Sequence, residues 1–111
     1  SQDIVDFPAG SSIIREGEEG NKMFVVMDGE VEITIKGKRI ANAGRGEIVG
    51  EMALISPELR SATVTALTDT RMAVIDQSSF ESLLQYVPDF TMHVMNVLAD
   101  RLKGAFEMIG D

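Results

Sequence analysis

The run Ile48-Val49-Gly50-Glu51-Met52-Ala53-Leu54-Ile55-Ser56-Pro57-Glu58-Leu59-Arg60-Ser61-Ala62-Thr63-Val64 is poorly explained by packing alone. Glu-Met-Ala-Leu is a good helix-forming tetrad that follows a glycine and is stopped within a few residues by Ser56-Pro57, which predicts one short helical turn. The start of such a turn offers main-chain amides to an anion, and the glycine lets a ligand approach the backbone closely. Arg60, after a short loop, supplies a planar fork suited to phosphate oxygens. Glu51 is the odd member, because a carboxylate beside a phosphate repels it unless a neighbouring hydroxyl donates to the carboxylate, as a ribose 2′-OH would. Taken one at a time these residues have plainer readings. Glu51 suits a helix start, Arg60 could pair with it across a solvated loop, and Ser61 could cap a turn. The functional reading rests on the whole pattern.

Working outward, eight of the ten glycines lie in the first fifty residues and divide that half into short segments suited to strands and turns. Met23 to Met27 is an apolar run, Asp28-Gly29 is a strong hairpin signal, and Glu30 to Lys36 alternates with period two; together they predict a half-buried antiparallel hairpin. Gly37-Lys38 turns the chain into Arg39-Ile40-Ala41, while Ser12 to Arg15, Ser61 to Leu67 and Arg71 to Ile75 are further strand candidates. The expected class is mainly β with α, a sandwich or barrel-like roll over about residues 3–76. From Ser78 the period changes. Ser78 with Glu81 reads as a capping box, followed by Phe80, Leu83 and Leu84 on one helical face. Pro88 ends that helix and begins another, whose stripe is Phe90, Val94, Val97, Leu98, Leu102, Ala105, Phe106 and Ile109, with Gly104 as its weak point. The helices are expected over about 78–109, within a single domain spanning 1–111.

Composition narrows the function. The 111 residues carry 10 basic and 18 acidic side chains, a net charge of −8, which argues against a general grip on nucleic acid or anionic membrane. With 44% hydrophobic and 25% charged residues the chain should fold, and no apolar run approaches the roughly 18 residues that span a bilayer. The absence of cysteine excludes disulfides, a thiolate nucleophile and sulfur-ligated metal, and fits a reducing, cytoplasmic setting. The start, Ser1-Gln2-Asp3, reads as that of an excised soluble fragment. His93 is the single histidine and sits in the long helix, so it reads as a surface or partly packed side chain and cannot build a histidine metal cluster or a Ser–His–Asp triad. Gly44 to Gly50 superficially resembles a dinucleotide fingerprint, but its third glycine is one residue late and no βαβ unit surrounds it. The seven methionines read mostly as core filling. No catalytic constellation and no metal site are expected.

The opening stretch resembles the phosphate-binding cassette of the cyclic nucleotide-binding domain family, known from catabolite activator proteins, protein kinase A regulatory subunits and nucleotide-gated channels. Gly50-Glu51-Met52-Ala53-Leu54 is similar to the family's Gly-Glu-x-Ala-Leu, and Arg60-Ser61-Ala62-Thr63-Val64 to its Arg-(Ser/Ala/Thr)-Ala-Thr-Val. Phe7-Pro8-Ala9-Gly10, Glu16-Gly17, Met23-Phe24-Val25-Val26 and Gly29-Glu30-Val31 resemble its strand and turn pattern. Phe80 with Leu83-Leu84, and Leu98 to Leu102, resemble its closing helices. Three residues depart from the pattern: Val49 stands where Phe is frequent, Glu47 where Asp is, and Leu59 where Pro is, which leaves that loop less rigid.

The resemblance implies an eight-stranded antiparallel β-roll with a short cassette helix and C-terminal helices. It implies a non-enzymatic sensor that binds a cyclic nucleotide, cAMP ahead of cGMP because Ser61 stands where some cGMP-preferring relatives have Thr. The implied binding residues are Gly50, Glu51, Met52, Ala53, Arg60, Ser61 and Ala62. Arg60 and the backbone at Ala53, Ser61 and Ala62 would take the phosphate, and Gly50-Glu51 the ribose. Leu54 would report occupancy to the first closing helix, and the long helix would swing as a lid. Ala105 and Phe106 stand where catabolite activator proteins offer hydroxyls to adenine, so that mode is absent; Phe106 is left either stacking on the base or packing in the core. A homodimer through the long helix and an output domain outside this sequence complete the expectation. The alternative is a nucleotide-independent docking or dimerisation scaffold of the same fold.

Overall fold

A computed structural model describes residues 3–56 and 59–108, the side chains of Ala105, Phe106 and Met108 excepted. Eight strands run in chain order as β1 (Asp3–Phe7), β2 (Ser12–Ile14), β3 (Lys22–Asp28), β4 (Val31–Ile35), β5 (Lys38–Ala43), β6 (Ile48–Val49), β7 (Thr63–Ala66) and β8 (Thr70–Asp76). The helix α1 (Met52–Ile55) interrupts them, and α2 (Gln77–Tyr86) and α3 (Pro88–Met108) follow. The strands form two four-stranded sheets, ordered β1-β8-β3-β6 and β2-β7-β4-β5, with every pairing antiparallel. This is the expected β-roll closed by helices. Among the described residues, no helix is long and apolar enough to cross a membrane.

The first sheet is covered on both faces. Phe24, Val26 and Met72 face the second sheet in a core shared with Ile14, Val31, Ile33, Val49 and Val64. Met23 and Ile75 belong to a second core with Ile48, Leu54, Phe80 and Val94, where the helices pack. Two-sided burial is why β3 reads as a continuous apolar run, whereas β4, with Val31 and Ile33 buried and its other side chains less so, alternates. Each fully buried side chain of this size contributes about 1.5–3 kcal/mol. Phe7 meets Phe24 edge-on at 6.4 Å in the first core, and Phe80 meets Phe90 at 6.0 Å in the second.

The expected hairpin at Asp28-Gly29 does not form. β3 pairs with β8 and β6 and so has no free edge, while β4 pairs with β7 and β5 in the other sheet. Gly29, at φ +95°, carries the chain across instead; a Cβ there would lie 2.6 Å from the Asp69 carbonyl oxygen. Glu30 N–H then donates to Thr68 Oγ1 at 3.1 Å, and the Glu30 carbonyl accepts from Leu67 N–H at 2.9 Å. The true hairpin joins β4 and β5. Ile35 faces Lys38 across a two-residue turn, Lys36-Gly37, one residue earlier than expected, with φ of 51° and 78°.

Three smaller details also differ from the sequence reading. The cap of α2 is Asp76, whose carboxylate accepts from Ser79 N–H at 2.8 Å, so the Ser78–Glu81 box is not used: the helix starts ahead of Ser78. In α3, Phe90, Val94, Val97 and Leu98 pack inward, but Leu102, one turn beyond Leu98, is 58% exposed and does not join that core. Of the methionines, Met23 and Met72 fill the core, while Met27, Met52, Met92 and Met95 are exposed. The expectations for Ala105, Phe106 and Ile109 lie outside the described residues.

Candidate functional site

β6 joins the first sheet beside β3, with Val25 opposite Ile48 and Phe24 opposite Val49, and this brings Gly50 to the mouth of the roll. Gly50 has φ +78°, and a Cβ there would lie 2.8 Å from Ile14 Cδ1 and 2.9 Å from Arg60 Nη1, so glycine is required twice over. Met52 begins the short helix expected from Glu-Met-Ala-Leu. The amides of that turn are partly engaged, since Ala53 N–H donates to Gly50 O at 3.3 Å and Leu54 N–H to Glu51 O at 3.0 Å. Leu54 is buried against Ile48, Phe80 and Val94, which ties the short helix to both closing helices.

Arg60 points inward. Its Nη1 donates to Gly50 O at 3.0 Å and its Nη2 to Lys22 O at 2.7 Å. Burial lowers the affinity of this guanidinium for its proton, and the negative charge of Glu51 opposes that shift. It remains a cation held by neutral carbonyls.

Glu51 does not pair with Arg60. Its carboxylate is fully buried, and Oε1 accepts from Arg101 Nη1 of α3, whose Nη2 also donates to Ile48 O at 3.2 Å. Glu51 Oε2 is buried with no hydrogen-bond partner among the described residues. A buried carboxylate oxygen in that state is an acceptor with capacity to spare, and leaving it unmatched costs about 1–3 kcal/mol or more. The sequence reading missed Arg101 as a site residue. The signal was a cation three residues after Leu98 in the apolar stripe of the long helix, where packing alone favours another apolar side chain.

Gly50, Glu51, Met52, Ala53, Arg60, Ser61 and Ala62 line one cavity of about 860 Å³, within the 300–1,000 Å³ usual for small-molecule sites. The structure therefore brings all seven sequence-derived candidates together. One wall is apolar, with Ile33, Ile35 and Ile40 from β4 and β5, and Asn42 adds an amide. Val97, Asp100, Arg101, Gly104 and Glu107 of α3 close the other side. Nearer its start α3 makes a second tether, with His93 Nε2 3.0 Å from Gly46 O. Among the described residues no cluster of His, Asp and Glu could hold a metal ion.

The sequence profile of the cyclic nucleotide-binding domain matches residues 4–86, three-quarters of the chain. The chain belongs to this family. The domain is 33% identical over 101 residues to the Pycsar effector protein XpPycTIR of Xanthomonas perforans, covering 90% of this chain and 33% of that protein. It is 40% identical over 81 residues to the cAMP-dependent protein kinase regulatory subunit of Schizosaccharomyces pombe, covering 72% of this chain and 20% of that one. Among solved structures it superposes on the Thermus thermophilus catabolite activator protein with a TM-score of 0.85 and 27% identity, over 97% of this chain and 53% of the other. The domain thus spans a third or less of the two curated relatives named here. In the kinase regulatory subunit and the activator protein, domains of this family serve regulation.

Proposed function

We propose that this domain is a sensor that binds a cyclic nucleotide in the cavity beneath α3, cAMP ahead of cGMP, and signals through α3 to an output segment outside this sequence. The observation that carries the reading is the presence, within one cavity, of an inward Arg60 and a buried Glu51 whose Oε2 lacks a partner among the described residues. A cyclic phosphate is a monoanion for the Arg60 fork, helped by the backbone at Ala53, Ser61 and Ala62. A ribose 2′-OH is a donor for Glu51 Oε2, beside the bare backbone of Gly50. Met52 and the isoleucine wall add apolar surface. Each group has a counterpart of matching chemistry.

Signalling follows from what Glu51 already holds. Arg101 uses Oε1 and the ribose would use Oε2, so nucleotide and α3 engage the carboxylate together, and the ligand favours the conformation in which α3 is closed. Leu54, packed against Phe80 and Val94, passes any movement of the cassette to α2 and α3. The whole chain 1–111 acts as one such module, without catalysis of its own and in a reducing, cytoplasmic setting.

The test is calorimetric titration with cAMP, cGMP and 2′-deoxy-cAMP. The reading expects saturable binding of cAMP, weaker binding of cGMP, and a loss of roughly 1.5–3 kcal/mol for the 2′-deoxy analogue. Binding of neither cyclic nucleotide overturns it. The second reading, a docking or dimerisation scaffold, is favoured by one observation: Met92, Met95 and Leu102 are each more than half exposed on the outer side of α3. The spacing of three and seven residues suits pairing with a second α3. A homodimer on that face is compatible with sensing, and sedimentation with and without cAMP separates the readings. A dimer indifferent to nucleotide supports the scaffold, and a monomer in both conditions removes the dimer.

A further inference from the structure

Arg60 is seated by a loop that lies outside the cassette. Its N–H donates to Glu18 O at 2.8 Å and its carbonyl accepts from Gly17 N–H at 2.8 Å, which fastens the β2–β3 connection to the arginine backbone. The side chain then runs back along the same connection to Lys22 O. Between these anchors lies Gly20. A Cβ at Gly20 would stand 2.1 Å from Arg60 Nε, 2.4 Å from Cζ and 2.6 Å from Nη2, distances that no real contact reaches. Gly20 is also absent from the glycines with positive φ, so the left-handed region does not call for glycine here, and the three atoms nearest that Cβ all belong to the Arg60 guanidinium.

We propose that Gly20 is a positioning residue for the candidate nucleotide site: its bare backbone is the seat that lets the Arg60 guanidinium turn into the cavity. The inference rests on the proposed role of that cavity. It adds that the β2–β3 connection sets the orientation of the phosphate-binding cation. A methyl group at position 20 meets the far end of a flexible side chain, so the arginine yields and the fold does not. Yielding breaks the bonds to Lys22 O and Gly50 O and takes the charge away from the place where an anion would sit.

The experiment is a double-mutant cycle with Gly20→Ala and Arg60→Ala, read by cAMP and cGMP titration and by thermal melting, with Gly44→Ala as control. Gly44 has no positive φ, and the nearest atom to its added Cβ is Glu47 Oε1 at 3.9 Å. Gly20→Ala should weaken nucleotide binding by about tenfold or more, the loss expected when a charge-assisted bond is misplaced, with the melting temperature unchanged. In the Arg60→Ala background it should change nothing further, and Gly44→Ala should bind like the unmodified domain. Full affinity in Gly20→Ala overturns the proposal, as does an equal loss in both backgrounds, which marks a general structural effect. Hydrogen exchange of the Arg60 guanidinium protons, followed by NMR without nucleotide, decides the seat independently of ligand. Faster exchange in Gly20→Ala supports it, and unchanged exchange overturns it. If the unmodified domain binds neither nucleotide, the proposed function falls, and the exchange measurement still decides the seat.

Discussion

Two arginines face the same cavity from opposite sides and are held in opposite ways. Arg60 rests on the carbonyls of Gly50 and Lys22 and is fastened by its own backbone to Gly17 and Glu18, so neutral groups of the roll fix it. Arg101 arrives on a helix and is held chiefly by the buried charge of Glu51. The difference separates two tasks. A cation held by neutral carbonyls keeps its charge for an incoming anion. A cation that neutralises a buried carboxylate is part of a latch, because moving the helix away would leave that carboxylate buried and uncompensated.

Breaking the first arm has the largest expected effect. Arg60→Ala should lower cAMP affinity by about 2–5 kcal/mol, since a phosphate would be buried without its countercharge, while thermal stability changes little. Unchanged affinity by calorimetry would erase the distinction between the arginines. Glu51→Gln comes next, with an expected affinity loss of roughly 1.5–3 kcal/mol, as for a hydrogen bond to a charged group. It should also abolish the discrimination between cAMP and its 2′-deoxy analogue. Persisting discrimination would move the ribose contact to another residue.

Arg101→Ala tests the latch. The pair is half in water, with the arginine side chain 41% exposed and the glutamate fully buried. The expected stability loss is therefore about 1–3 kcal/mol, between exposed and fully buried pairs. Denaturation should register that loss, and hydrogen exchange should show a less protected α3. A variant that melts like the unmodified domain and keeps α3 protected would show that packing of Val94, Val97 and Leu98 alone holds the helix.

The smallest change is predicted away from the cavity, at the α2 cap. Ser79 N–H donates to Asp76 and holds its carboxyl below the ordinary value of 3.8. A carboxyl lowered in the folded state contributes stability in full above its unfolded value and loses it as pH falls through the folded value. Asp76→Ala should thus melt lower at neutral pH, with the gap to the unmodified domain closing below about pH 3.8, and with cAMP affinity intact. A gap independent of pH would show that the carboxylate charge is not what caps α2.

The sequence by itself determined the cassette and most of the strands, because these depend on neighbours close in the chain. Glycine before a helix-forming tetrad, an arginine after a short loop and the alternation of β4 all express local backbone and side-chain preferences. Which strands pair is a different matter. Asp28-Gly29 carries a sound local turn signal, yet β6 and β8 occupy both edges of β3, and only the assembled sheet excludes β4. Likewise Asp76 takes the cap that Ser78 was equally suited to form, since the end of β8 sets where the helix begins. The tertiary structure alone decided the partner of Glu51. Arg101 lies fifty residues further along the chain, and only packing of α3 across β6 brings it to that carboxylate. Contacts between distant residues cost chain entropy that no local pattern records, so the sequence supplied the chemistry of the site and the folded chain chose which charges meet there.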